Sequence, residues 1–484
     1  MIFNREGSVR MTEKRLMPSV IFREYDIRGV VDHEFFIDQM YDLGRAIAYF
    51  FKERNPEVVT VAVGMDGRTH SPIIKEALVK AMQDSGLNVI SIGLCHSPAL
   101  YFAMHQLPVE AGLMITASHN PKEYNGIKIC LGTESIWGAD IQEIYRLYKD
   151  GCKISSLHSG LYTQYAIIPD YIDWLVDHFA HLKNSNIRAV VDCGNGAGGV
   201  VIPQLIQKMH WKDVNVLYSE VDGTYPHHEA DPVKLANMQD VKDVLTTTDA
   251  TIGIGLDGDA DRMAAMTKKG LLIPGDLLLG LFGQTVVKED AHVGVVIDIK
   301  SSLVLIDYLT MLGARVIISP SGHSIIKDEM SKHGAILGGE LSCHFFFKDR
   351  YFGYDDGIYA MLRLFELVVH NDIETLLEVY PHMFSSPELR IPCDEAKKKL
   401  IVQTVTDIFA QKDGVELITI DGIRVTMPYG WGLLRASNTQ PMLSLRFESQ
   451  TQEGLLKIID QFVAALAPFY EKEYLCKEFA KGDA

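Results

Sequence analysis

The chain has 484 residues, 47% of them hydrophobic and 23% charged, with a formal net charge of -17 at neutral pH. Domains usually run to about 100–200 residues, so this length excludes one compact core and predicts three or four domains. The composition excludes a disordered chain, and the acidic balance argues against nucleic acid or an anionic membrane as a partner.

At the N-terminus, MIFNREGSVRMTEKRLMPSV carries charges but no apolar core of a signal peptide. Residues 1–17 read as a flexible extension, with Met11 as an alternative start. No apolar run is long enough to span a bilayer. Seven cysteines, at 95, 130, 152, 193, 343, 393 and 476, include no C-x-x-C pair. That predicts neither a disulfide framework nor structural zinc, and it fits a reducing, cytoplasmic setting.

VVTVAVG (58–64) predicts a strand, and SPIIKEALVKAMQDSG after it has helical periodicity. NVISIG (88–93) and AGLMI (111–115) are further strands. TASHNP (116–121) then places Ser118 at the carboxyl end of a strand, where open α/β sheets bind ligands. A serine there can accept a phosphoryl group if cations balance the charge. Ser, Asn and Pro also make ordinary turns, so the motif alone supports both readings equally.

IRAVVDC (187–193) runs into GNGAGG (194–199), with Glu220 where a ribose-binding acid would lie. This is a formal dinucleotide fingerprint, but a tight strand-to-helix turn calls for glycine anyway. No Walker A sequence occurs. ATIGIGL (250–256) leads to DGDADR (257–262), where Asp257, Asp259 and Asp261 alternate. Side chains two apart share a side of extended chain, so three carboxylates are expected to converge on one hard cation. An EF-hand would need glycine and glutamate where Arg262 and Lys268 stand. A solvated acidic turn is the competing reading; three unneutralised acids after an apolar strand would repel one another, which favours the metal.

VGVVIDI (293–299) and ARVIIS (314–319) are again strand-like. GELSCH (339–344) alternates Glu340, Ser342 and His344, a set suited to sugar hydroxyls, although many strand ends carry such residues. Asp355 and Asp356 precede Gly357 and a helix, where capping accounts for one of them. Beyond about residue 380 the character changes. Helical DEAKKKLIVQTVTDIFAQ (394–411) alternates with strand-like VELITIDGIRVTMP and LSLRFES. RASNTQP (435–441) offers Arg435, a planar fork for phosphate, with Ser437, Asn438 and Thr439 as donors, or simply a polar hairpin loop.

These elements predict an α/β protein. Three related α/β domains with mixed or parallel sheets each run a strand into a small-residue loop (MDGRTHSP, CGNGAGG, DIKSS), and a smaller α+β domain follows. The expected limits are 18–165, 166–270, 271–380 and 381–484.

FREYDIRG, GMDGRTHSP, TASHNPKEYNGIKI, VDCGNGAGG, DGDADR, DIKSS, SGHSIIK, GELSCHFFFKDRYFGYDDGIY and RASNTQP together resemble the α-D-phosphohexomutase superfamily, in its bacterial phosphomannomutase/phosphoglucomutase branch. The resemblance covers about Val20 to Phe469. It implies four domains around a central cleft, the last with a TATA-binding-protein-like fold. It implies that Ser118 carries phosphate and that Asp257, Asp259 and Asp261 hold Mg2+ together with that phosphate. Glu340, Ser342 and His344 would read the sugar, and Arg435, Ser437, Asn438 and Thr439 would bind the non-transferring phosphate. Tyr25, Arg28, His119, Lys128, Arg262, Lys300 and His323 match cleft positions.

The implied reaction moves phosphate between O1 and O6 of glucose and mannose phosphates through a hexose 1,6-bisphosphate. The partners are small hexose phosphates, and the enzyme is a monomer or weak homodimer. Lys128, its pKa lowered among cations, is the first candidate base, with His119 and His344 as alternatives. Two residues depart from the family pattern: Ala260 and Cys343 stand where glycine is usual. The rivals are a phosphoglucosamine mutase, a non-catalytic sugar-phosphate binder, and a nicotinamide enzyme using GNGAGG.

Overall fold

The computed structural model describes residues 15–151, 156, 158–289, 292–437 and 441–480. Four sheets carry the fold. The first runs Ile27–Val30, Tyr124–Leu131, Ala111–Ile115, Thr60–Met65, Asn88–Leu94 and Tyr162–Gln164. The second runs Leu272–Ile273, Met263–Thr267, Ile252–Leu256, Arg188–Asp192 and Asp213–Leu217. The third runs Arg315–Ser319, Gly294–Asp298, Ala335–Gly339 and Phe345–Phe347. Parallel strands form the centre of each. Strands such as AGLMI and IGIGL are buried on both faces, which is why they read as unbroken apolar runs.

One rule of topology then places the chemistry. In each of the three sheets the last parallel strand turns back into an antiparallel neighbour. The turns follow Ile115, Leu256 and Gly339. They carry TASHNP, DGDADR and GELSCH, so three sequence motifs occupy one corner of one repeated design.

The C-terminal unit is built differently. Its sheet is antiparallel, running Phe384–Ser385, Met442–Ser449, Gly430–Ala436, Ile423–Met427 and Glu416–Ile418, with Leu389–Pro392 also on Met442–Ser449. Helices Lys398–Ala410 and Gln452–Leu466 pack against it. The α+β reading of this segment holds.

The cores follow the same division. One continuous apolar cluster runs from Phe102 through Tyr171 and Leu256 to Phe282 and Phe365, taking one face of each α/β sheet, while the first sheet's other face has its own core around Phe50, Leu113 and Ile127. The C-terminal unit has its own core around Val405, Leu445, Phe447 and Phe462. Between them lies a narrow seam of Ile299, Trp431 and Leu433. Hydrogen bonds stitch it: Arg424 Nη1 donates to the carbonyls of Ile299 and Ser301 at 2.6 Å each. Ser302 Oγ and Trp431 Nε1 both donate to Glu448 Oε1, at 2.6 and 2.9 Å. Of the two adjacent aspartates, Asp356 caps helix Gly357–Val368 by accepting from the Tyr359 amide, whereas Asp355 pairs with Lys327. Among the described residues no helix is long and apolar enough to cross a membrane.

Candidate active site

Ser118 and the acidic loop come from different sheets and meet directly. Ser118 Oγ donates to Asp257 Oδ2 at 2.6 Å and lies 3.1 Å from His119 Nδ1. The loops touch backbone to backbone, since a Cβ on Gly258 would stand 2.5 Å from the Ser118 carbonyl oxygen. Arg68, from the MDGRTHSP turn, braces the serine loop from behind. Its Nη2 donates to the carbonyls of Ser118 and Asn120 at 2.8 and 2.6 Å, and its Nη1 to those of Pro121 and Tyr124. Sequence reasoning gave Arg68 no role; four carbonyls arriving from a loop some fifty residues away leave no local pattern.

Asp257, Asp259 and Asp261 are buried and bring carboxylate oxygens within 4.8 Å of one another. The expected route to this, alternation along extended chain, is corrected by the structure. The segment is a turn closed by Ala260 N donating to the Asp257 carbonyl, with Ala260 at φ +51°. Burial and the neighbouring carboxylates of Asp261 and Asp259 push the Asp257 carboxyl well above its usual range. Asp259 Oδ1 is buried with no hydrogen-bond partner. Convergent carboxylates, buried oxygens of Asp259 and Asp261 without hydrogen-bond partners, and a serine hydroxyl suit a hard divalent cation with oxygen ligands.

Lys128 requires a second correction. Its neighbours are anions: Nζ donates to Asp259 Oδ2 at 2.8 Å and to Asp261 Oδ2. Burial opposes its charge, but the two carboxylates prevail and hold its pKa well above the ordinary value, not below it. His119 is the cation-crowded group; burial, Arg262 and Arg28 keep it neutral. Arg262 sits over the acidic loop, its amide donating to Asp257 Oδ1 at 3.1 Å and its Nε 3.9 Å from Asp257 Oδ2.

On the third corner, His344 Nδ1 lies 3.1 Å from both Glu340 Oε2 and Ser342 Oγ, and Nε2 lies 3.3 Å from Asp261 Oδ1. Here too a turn, not an extended segment, gathers the side chains, with Cys343 at φ +69°. Burial works against a charged His344, yet Asp261 and Glu340 raise it to about 9. Glu340, resisting its own burial with help from His344 and Lys300, falls to about 2. Its Oε1 accepts from the Gly322 amide at 2.7 Å, beside His323, which burial and two lysines keep neutral.

Arg435 pairs with Asp421 at 2.8 Å, and the Ser437 amide donates to the Met442 carbonyl, closing a hairpin. Asn438 and Thr439 lie outside the described residues. Lys300 Nζ stands 3.5 Å from Asp298 Oδ2. Tyr25 OH donates to the Ser321 carbonyl at 2.5 Å, and Arg28 Nη1 to Asn120 Oδ1 at 2.6 Å. Residues from all four corners line one cleft of about 580 Å³. Ser118, His119, Lys128, Asp261 and Arg262 line it together with Glu340, Ser342 and His344, with Arg435, Ser437 and Lys300, and with Tyr25, Arg28 and His323. Arg23, Asp231, Glu388 and Arg390 also line it and were not anticipated. Arg23 stands inside the quoted FREYDIRG, and the other three sit on stretches with no motif of their own.

GNGAGG does not form a nucleotide cradle. A Cβ on Gly199 would lie 2.0 Å from the Ser219 carbonyl oxygen, and the Ala197 amide donates to the Gly258 carbonyl at 2.9 Å. The loop is packed beneath the acidic turn, so its small residues serve close backbone approach within the protein.

The chain matches the phosphoglucomutase/phosphomannomutase alpha/beta/alpha domains I, II and III over residues 19–153, 169–270 and 274–385, and the C-terminal domain over 388–465. It is 40% identical over 453 residues to a phosphomannomutase/phosphoglucomutase of Pseudomonas syringae pv. tomato, covering 93% of this chain and 96% of that protein. It is 39% identical over 450 residues to a phosphoglucomutase of Neisseria gonorrhoeae, covering 92% and 96%. A crystal structure of a phosphoglucomutase/phosphomannomutase family protein from Burkholderia thailandensis superposes with a TM-score of 0.86 at 34% identity, over 94% of this chain and 98% of that one. With four domains in the family's order and relatives matched nearly end to end, the chain belongs to the phosphoglucomutase/phosphomannomutase family.

Proposed function

We propose that this protein is an isomerase that moves a phosphoryl group reversibly between O1 and O6 of hexose phosphates, glucose and mannose alike, using Ser118 as the phosphate carrier. The observation that carries the reading is the Ser118 hydroxyl 2.6 Å from Asp257, within an acidic turn contributed by another sheet. Asp257, Asp259 and Asp261 would hold Mg2+, which when bound lends positive charge to the oxygens of the transferring group. Arg262 and Arg28 add fixed positive charge on the same side, and Lys128 balances the carboxylates.

The substrate's own phosphate sits at Arg435 and Ser437, and Glu340 accepts from its hydroxyls. A reversible transfer needs one group that donates a proton in one direction and takes it back in the other. His344, oriented by Glu340 and Ser342 and facing Asp261, is placed for this, with His119, 3.1 Å from the Ser118 hydroxyl, as the alternative. The product of the first transfer, a hexose 1,6-bisphosphate, then turns so that its other phosphate meets the serine. The narrow seam to the C-terminal unit supports movement of Arg435 with that unit while the other three corners stay fixed.

The test is a mutase assay with glucose 1-phosphate, mannose 1-phosphate and glucosamine 6-phosphate, with and without Mg2+ and catalytic hexose 1,6-bisphosphate. It is paired with mass spectrometry of Ser118. Turnover of the first two with a phosphorylated serine is expected; preference for the amino sugar, or a serine that never carries phosphate, refutes the reading.

A further inference from the structure

Asp259 is gripped by a residue that has no part in the reaction scheme above. Helix Ser97–Gln106 of the first sheet's unit points its N-terminus at the acidic turn. The Ser97 amide donates to the Asp259 carbonyl at 3.0 Å, and the Ser97 hydroxyl donates to Asp259 Oδ2 at 2.5 Å. The same hydroxyl oxygen accepts from Lys128 Nζ at 3.2 Å. An ammonium can only donate, so the one hydroxyl proton is directed at the carboxylate. Oδ2 thus receives both Ser97 and Lys128, and Oδ1 is left buried with no partner. Ser97 is fully buried and does not cap its own helix. The preceding His96 packs edge-on against Tyr171, with neither ring nitrogen hydrogen-bonded, next to the turn that presents Ser97.

We propose that Ser97 is a positioning residue for the cation site: by occupying Asp259 Oδ2 it turns Oδ1 toward the ion, so that cation affinity depends on a contact between two domains. The inference rests on the cation reading given under Proposed function. The helix N-terminus adds partial positive charge where the acidic turn concentrates negative charge. Hydrogen bonds from residues behind a metal ligand commonly set its affinity by about 10–100-fold.

Mn2+ titration of the full-length chain, followed by electron paramagnetic resonance, reads this without turnover. Ser97→Ala is expected to weaken Mn2+ binding by about 10–100-fold, with Ser97→Thr restoring it. In turnover, Ser97→Ala should recover its kcat when the cation is raised and keep its KM for hexose 1-phosphate. Should Ser97→Ala not fold, Ser97→Cys keeps the volume with a weaker donor and is expected to lose affinity in the same direction. Unchanged Mn2+ affinity in the folded alanine or cysteine variant overturns the proposal. Asp259→Asn separates the two claims. If it loses Mn2+ while Ser97→Ala does not, only the positioning role falls; if it binds Mn2+ as before, the cation site itself is wrong and the proposal falls with it.

Discussion

Two parts of the cleft are held in place by opposite means. The corners bearing Ser118, the acidic turn and His344 grow from three sheets that share one apolar core and lock into one another by buried contacts. The corner bearing Arg435 grows from a unit with a separate core, attached through a seam of three buried and three partly buried apolar residues and a few hydrogen bonds. Chemistry that tolerates little displacement sits on the fused part. On the function proposed above, the phosphate hold would serve a substrate in two orientations, and it sits on the part with the separate core.

The largest effect should come from the fused part. Ser118→Ala removes the proposed phosphate carrier and is expected to cost about 10⁶-fold in kcat, about 8 kcal/mol, the scale for loss of a nucleophile. Arg435 substitutions should not approach this. A Ser118→Ala enzyme retaining turnover within about tenfold of the original would remove the basis for ranking the two parts.

Next come the cores themselves. Phe365 lies in the cluster shared by three sheets and Phe447 in the C-terminal core, both fully buried. Truncation of either to alanine should cost about 3–5 kcal/mol, but to different cooperative units. Calorimetry is expected to show Phe365→Ala lowering the transition of the three fused sheets and Phe447→Ala lowering a separate one. A single transition shifted equally by both would mean that the seam couples the units as firmly as a shared core.

Much of this was legible in the chain, and what escaped has a physical reason. Apolar runs such as AGLMI and IGIGL announced central parallel strands because they are buried on both faces. Residues of TASHNP, DGDADR, GELSCH and RASNTQP do line one cleft. Alternation suggests extended chain in DGDADR and GELSCH, whereas left-handed residues at 260 and 343 bend both segments into turns. The surroundings of Lys128 were misjudged because charge environment depends on partners more than a hundred residues away, Asp259 and Asp261. Arg68 and Ser97 were missed for the same reason: their partners are carbonyls and carboxylates from distant loops, and no spacing records them. The common core that takes one face from each sheet is equally invisible to periodicity, which reports one face of one element at a time.

A smaller effect tests the C-terminal side. Arg435 is buried and held by Asp421, and truncation to alanine removes the charge-assisted contact proposed to bind the substrate's phosphate, about 1.5–3 kcal/mol or roughly 10–100-fold in kcat/KM. Lysine should rescue it only in part, because an ammonium lacks the planar fork. If phosphate binding is its role, the loss appears for sugar phosphates while Mn2+ affinity, read at the fused corner, stays as it was. A parallel loss of Mn2+ affinity would join the two parts that the comparison separates.

The smallest effect concerns strain within the fused part. Ala260 and Cys343 both hold positive φ in the site turns, which costs an L-residue about 1–2 kcal/mol. Glycine at 260 relieves that, but it frees the unfolded chain by about 0.4–1 kcal/mol and strips a buried methyl worth about 0.8 kcal/mol. The terms nearly cancel, so Ala260→Gly should leave unfolding in denaturant within about 1 kcal/mol of the original. At 343 the balance tips the other way, because the side chain is buried and glycine loses its packing as well as its constraint. Cys343→Gly is therefore expected to be the less stable of the two. If glycine instead stabilises both sites by more than about 2 kcal/mol, the turns carry strain that the shared core does not absorb, and the fused part is less rigid than its packing implies.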